Sequence, residues 1–232
     1  MLAIAGGKGG CGKTTTALGL AGALVRQRKA ALAADADREM PDLHALAGVA
    51  RDPGLDAVAA GWPPEMVAAT TEVSTPGVRV LPARSRRAAR RNYEPKSSTP
   101  LTHLREFDGA VLLDCPAGAG PDAVAPLRVA DGAVVVTTTE PACLRDAAKT
   151  AAMARELGTP VAGAVVSGGI VSSDGDPQQA RDVSDGVTDL LDCEVLGAVP
   201  DVGDGASAEP LADDRVRAAH DRVLSTLQPK YL

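Results

Sequence analysis

The sequence predicts an α/β fold, a mainly parallel sheet of about seven strands with helices on both faces. Seven short apolar runs recur along the 232 residues, and most are continuous rather than alternating, as strands buried on both faces require. Helical stretches separate several of them, the pattern of a parallel sheet with crossover helices. Gly, Pro, Asp or Thr closes almost every run, where chain direction changes.

The first run is Leu2–Ala5, followed by a glycine-rich turn. Ala17, Leu18, Ala21, Leu24 and Val25 then fall at helical spacing and form an apolar stripe. Ala30–Ala34 reads as a second buried strand ending at Asp35. Further strands are expected at Val78–Leu81, Ala110–Leu113, Ala133–Thr137, Val161–Val166 and Val195–Val199. A last helix, about Ala212–Leu227, places Val216, Ala219, Val223 and Leu227 on one stripe, with Gln228–Leu232 as a short tail. Arg84–Thr102 and Gly168–Pro177 are the least regular segments. No repeat or long linker divides the chain, so one domain over residues 1–232 is expected.

Composition narrows the function classes. Hydrophobic residues make up 45% and charged residues 23%, the balance of a chain that buries a core. Trp62, Tyr93, Phe107 and Tyr231 are the only aromatics, so Ala, Val and Leu must build that core and a base-stacking platform is disfavoured. No apolar run reaches the roughly 18 residues of a membrane span, and Met1–Ala5 is too short for a signal peptide. The cytoplasm is therefore the expected compartment. Cys11, Cys115, Cys143 and Cys193 show neither paired nor metal-ligand spacing and read as thiols of a reducing compartment.

Gly7-Lys-Gly-Gly-Cys-Gly12-Lys13-Thr14 fits the pattern G-x-x-x-x-G-K-[ST] between a strand and a helix. That context gives the spacing its meaning. Glycines let backbone N–H groups curl around a β-phosphate, and the helix N-terminus adds partial positive charge. Lys13 is placed to reach the β- and γ-phosphates, and the Thr14 hydroxyl to ligate Mg²⁺. ATP and Mg²⁺ are the expected ligands, held by Gly7, Lys8, Gly9, Gly10, Cys11, Gly12, Lys13, Thr14 and Thr15. A P-loop nucleotide-hydrolase fold follows.

Lys8, five residues before Lys13, is not required by a generic phosphate loop. The run Lys8-Gly-Gly-Cys-Gly-Lys13-Thr-Thr15 resembles the deviant Walker A motif of the MinD/ParA family of ATPases. The resemblance implies an ATP-bound homodimer in which Lys8 reaches the partner's nucleotide, with Lys8, Lys13 and Asp37 as catalytic residues. Asp35-Ala-Asp37 looks like the family's switch I, whose second Asp positions the attacking water. Val111-Leu-Leu-Asp114-Cys-Pro-Ala-Gly118 looks like its Walker B and switch II. Thr14, Asp35 and Asp114 are then the metal-site residues, and an unpaired charge on Asp114 at a buried strand end would be costly without Mg²⁺. Ala130–Thr137, Leu144–Ala147 and Leu196–Asp201 continue the likeness, and Pro200 and Asp201 fall where the family's loop touches adenine.

Two departures stand out. The family's usual Asn after the Val161–Val166 strand is here Ser167, which lacks a two-sided amide for reading the base. Because Gln228–Leu232 is short, no counterpart is expected to the basic, apolar C-terminal helix by which MinD docks on membranes, nor, with the loop starting at residue 6, to a DNA-binding N-terminal extension.

Arg84, Arg86, Arg87, Arg90 and Arg91 crowd eight residues. Residues 79–105 carry eight Arg or Lys against Glu94, a local +7 within a chain of net −6. That field suits an acidic protein partner or nonspecific DNA, against the alternative of a solvated surface. The function expected from the resemblance is an ATP-driven dimerisation switch in cell division, chromosome or plasmid partition or cargo positioning. Alternatives are an ATPase of metallocofactor assembly, handling Fe–S clusters or nickel, and a weakly hydrolysing nucleotide-binding regulator or scaffold. A small-molecule kinase is disfavoured because it gives Lys8 no task.

Overall fold

The strands are β1 (Leu2–Ala5), β2 (Ala31–Asp35), β3 (Ala69–Thr70), β4 (Arg79–Leu81), β5 (Ala110–Asp114), β6 (Gly132–Thr137), β7 (Val161–Ser167) and β8 (Val195–Val199). They form one sheet in the order β3-β4-β2-β5-β1-β6-β7-β8. Every pair is parallel except β3 with β4. The structure, a computed structural model, describes residues 1–83, 99–118, 120–168, 177–202 and 209–231. Arg84, Arg86, Arg87, Arg90 and Arg91 lie outside them, as does most of Gly168–Pro177.

All seven strands read from the sequence are present, within a residue or two of their expected ends. The eighth, β3, spans only two residues, too short and too polar to announce itself by periodicity.

Helices among the described residues are α1 (Lys13–Arg26), α2 (Leu43–Ala47), α3 (Leu55–Ala59), α4 (Pro64–Val67), α5 (Thr99–His103), α6 (Pro121–Val129), α7 (Pro141–Glu156), α8 (Pro177–Leu191) and α9 (Asp214–Tyr231). The two-residue alternation of β1 shows how they divide. Leu2 and Ile4 face a layer holding Leu18, Leu24, Leu43, Val223 and Leu227 from α1, α2 and α9. Ala3 and Ala5 face Leu55, Val58, Val67 and Leu127 from α3, α4 and α6. A smaller cluster joins Ala147 and Ala151 of α7 and Val187 and Leu191 of α8 to Val135 and Val166. Phe107 is the one buried aromatic among the described residues, and the largest fully buried side chains are Leu and Ile. None of the described helices is long and apolar enough to cross a membrane.

The final helix continues beyond the expected boundary. Residues 228–231, read above as a tail, form its last turn despite Pro229. Tertiary contacts hold that turn. The Tyr231 ring packs on Gly132, where an added methyl would lie 3.0 Å from it, and Lys230 pairs with Glu194 at 3.1 Å.

The seam between α1 and α9 contains a fully buried histidine. His220 fills the notch left by Gly19, whose Cα has no room for a methyl against the ring. Its Nδ1 lies 2.9 Å from the Val216 carbonyl, and its Nε2 is buried without a partner. Burial pushes the imidazole down to about 4, well below the ordinary 6.5. Between those values the unfolded chain binds a proton that the folded chain refuses, so stability rises with pH across that window. The His220 contribution should therefore grow by about 3 kcal/mol from pH 4 to pH 7. Denaturant titrations of wild type and His220→Asn should diverge by that amount between the two pH values; parallel pH profiles would show that His220 is not held neutral.

Candidate functional site

The carboxyl ends of the central strands converge where strand order reverses about β1, the place where open α/β sheets bind ligands. The loop 6–12 leaves β1 there and enters α1, whose first residue is Lys13. Its glycines have different reasons. Gly10 and Gly12 take left-handed φ values of 78° and 92°. Gly7 lies so close to the backbone of Asp146 on α7 that a methyl would overlap it. Gly9 has neither constraint: a methyl there would meet nothing.

Within the loop, Lys13 is buried and its Nζ donates to the Lys8 carbonyl at 3.2 Å. Lys8 is half exposed and reaches sideways to Glu140, the residue before α7, with Nζ 3.4 Å from Oε2. Cys11 is buried against Gly6, and burial raises its thiol against the opposing charge of Lys13. Thr15 is partly buried at the start of α1. Ser167, the last residue of β7, packs directly on Gly12: a methyl there would sit 2.6 Å from its Oγ. Pro200 and Asp201 follow β8, which pairs Val199 with Ser167. The glycine loop and Ser167 are thus brought into contact, and Pro200 and Asp201 adjoin them at the same end of the sheet.

Asp35 and Asp114 end adjacent parallel strands and stand opposite each other in register. Their relative exposures are 0% and 2%. One Asp35 oxygen accepts the Asp37 N–H at 3.0 Å; the other has no partner, and neither has Oδ1 of Asp114. Burial, then the charge of Asp114, pushes Asp35 up to about 8. Burial likewise lifts Asp114 to about 7, opposed by the Thr14 hydroxyl and Lys13 and reinforced by Asp42. Asp37 points its Oδ1 back to the Glu39 and Met40 N–H groups, at 3.0 and 2.9 Å, capping its own turn.

These residues fit a magnesium nucleotide. Two buried carboxylates with orphaned oxygens stand near a threonine hydroxyl, beside the glycine loop. Among the described residues no three His, Cys, Asp or Glu gather into an all-protein metal cage. That suits Mg²⁺, which binds through one or two carboxylates and takes its other ligands from phosphates and water.

Two residues that the sequence reading did not single out belong to this region. Glu140 holds Lys8, and Asp42 accepts from Thr14 Oγ1 at 3.4 Å. Glu140 precedes Pro141 and Asp42 precedes Leu43, both ordinary helix boundaries, so local pattern gave neither a distinctive signal. Asp42's connection to Thr14 spans 28 residues and exists only in the fold.

The raised carboxylates predict an inverted acid response. A folded pKa above the unfolded 3.9 gives stability that is complete below that value and lost as pH rises through about 8. Metal-free protein should therefore melt lower at pH 8.5 than at pH 5.5. Asp35→Asn should flatten that decline and raise the melting temperature at pH 8.5, each kcal/mol relieved being worth roughly 2–4 °C in a chain this size. Calorimetric scans across pH check this, and an Asn variant that melts lower at pH 8.5 would contradict an unpaired carboxylate.

The CobQ/CobB/MinD/ParA nucleotide binding domain model matches residues 2–209. An uncharacterised ATP-binding protein of Methanocaldococcus jannaschii is 34% identical over 202 residues, 86% of this chain and 74% of that protein. The septum site-determining protein MinD of a Synechocystis strain is 32% identical over 153 residues, 63% of this chain and 56% of that one. Among solved structures, MinD of Pyrococcus horikoshii complexed with Mg-ADP superposes with a TM-score of 0.76. It is 25% identical, with 96% of this chain and 93% of that chain covered.

Proposed function

The chain belongs to the CobQ/CobB/MinD/ParA nucleotide-binding family, and on that premise we propose that it is a Mg-ATP-hydrolysing dimerisation switch of MinD/ParA type. Its expected setting is the spatial organisation of cell division, chromosome or plasmid partition, or cargo positioning. One observation carries the reading: a glycine loop bearing both Lys8 and Lys13 stands beside two buried carboxylates, each with an oxygen that no protein group hydrogen-bonds.

In this reading Gly7–Thr15 wraps the phosphates with backbone N–H groups, and Lys13 exchanges the Lys8 carbonyl for phosphate oxygens. Thr14, Asp35 and Asp114 hold the magnesium site. Bound magnesium supplies charge neutralisation on the β- and γ-phosphates. Asp37 orients the attacking water once its turn opens. Lys8 is held by a solvent-exposed ion pair with Glu140, a contact worth at most about 1 kcal/mol. Releasing it to a second subunit's phosphates therefore costs little. Ser167, Pro200 and Asp201 border the base, with Ser167 offering one hydroxyl in place of an amide.

The metallocofactor alternative finds less support in the thiols. Cys115 is buried, its thiol donates to the Leu113 carbonyl at 3.5 Å, and burial raises it far above the usual thiol range.

Lys13→Ala should weaken Mg-ATP binding by about tenfold to a hundredfold, the value of a charge-assisted contact of roughly 1.5–3 kcal/mol. Calorimetry with unchanged affinity would reject the phosphate-loop assignment. In saturating Mg-ATP, Asp37→Ala should accumulate as a dimer because hydrolysis slows, while Lys8→Ala should remain monomeric. Light scattering distinguishes them, and a monomeric Asp37→Ala protein would reject the switch.

A further inference from the structure

Asp42 sits at the entrance of α2, where an aspartate ordinarily accepts hydrogen bonds from the helix's unsatisfied N–H groups. Its side chain makes no such bond. The Ala45 N–H is taken instead by the main-chain carbonyl of Asp42, at 2.9 Å. The carboxylate turns toward the glycine loop, placing Oδ1 3.4 Å from the Thr14 hydroxyl. Thr14 also stands beside Asp114, whose carboxyl it acts on, so its hydroxyl has a buried carboxylate on one side and an exposed one on the other.

Independent of Asp42, two oxygens are buried here without partners, Asp35 Oδ2 and Asp114 Oδ1, on residues 0% and 2% exposed. A third carboxylate beside them raises the cost of leaving them charged, which is unfavourable unless a cation is bound. A helix cap given up, a hydroxyl engaged from the solvent side and two orphaned oxygens all mark one place.

We propose that Asp42 is a positioning residue of the cation site, outside the direct ligands. It holds the Thr14 hydroxyl from the solvent side and, when a divalent cation binds beside Thr14, accepts hydrogen bonds from the cation's water. The inference rests on the magnesium-nucleotide reading above. Residues of this outer kind tune metal affinity about tenfold to a hundredfold.

The experiment compares wild type with Asp42→Asn by calorimetric titration of ADP, once in EDTA and once in excess Mg²⁺. The Asp42 side chain makes no cap bond to α2, and Asn at the same position removes a charge beside the buried pair, so the metal-free melting temperature should not fall. ADP affinity in EDTA should stay within about twofold of wild type, while the gain conferred by Mg²⁺ should shrink by about tenfold. An undiminished gain overturns the proposal, as does a parallel loss in EDTA, which would make Asp42 merely structural. A wild type with no magnesium gain would instead overturn the magnesium-nucleotide reading itself.

Discussion

The pairing of Asp35 with Asp114 across β2 and β5 is the constraint on which the rest of the site depends. Parallel strands in register bring the two carboxyl groups side by side at the sheet's carboxyl edge, within a wall of Ala and Leu. Two negative charges cannot share such a place in low dielectric without protons or a cation. The main chain satisfies only part of them: the Asp37 N–H reaches one Asp35 oxygen, and the other stays open. The fold thus maintains a locally unfavourable arrangement, as functional sites do when the surrounding packing over-determines them.

Around that pair, the mobile-charge groups of the loop rest on substitutes. Lys13 lies on a carbonyl, Lys8 on Glu140, Thr14 near Asp42, and Asp37 on its own turn. The contacts of Lys8, Thr14 and Asp37 are exposed, while that of Lys13 is a part-buried hydrogen bond of 3.2 Å. Rigid and weak parts are separated. Gly7 clamped on α7 and Ser167 packed on Gly12 fix the loop's frame, while the Lys8 tip is held by an exposed ion pair of small net value.

The sheet was legible because its strands are continuous apolar runs, and the loop because its spacing is set by phosphate geometry. Asp35 and Asp114 were legible as polar residues closing buried strands. Their mutual register was not, since sequence order does not say that β2 and β5 are neighbours. Residues 228–231 were misread as a tail because Pro229 discourages helix locally, whereas Tyr231 on Gly132 and Lys230 with Glu194 sustain the turn through tertiary contact. Asp42 escaped notice for the opposite reason: its local role as a cap was plausible, and only the fold shows the side chain turned elsewhere.

The most direct test is where a divalent cation binds. Crystals grown with ADP and Mn²⁺, measured for manganese anomalous scattering, would locate the ion without reference to any assumed ligand. The expected peak lies beside the Thr14 hydroxyl, on the side facing Asp35 and Asp114, with the diphosphate in the loop Gly7–Thr15. A manganese peak elsewhere, with ADP bound and those carboxylates still unpartnered, would contradict the central claim that the buried pair is completed by a metal nucleotide.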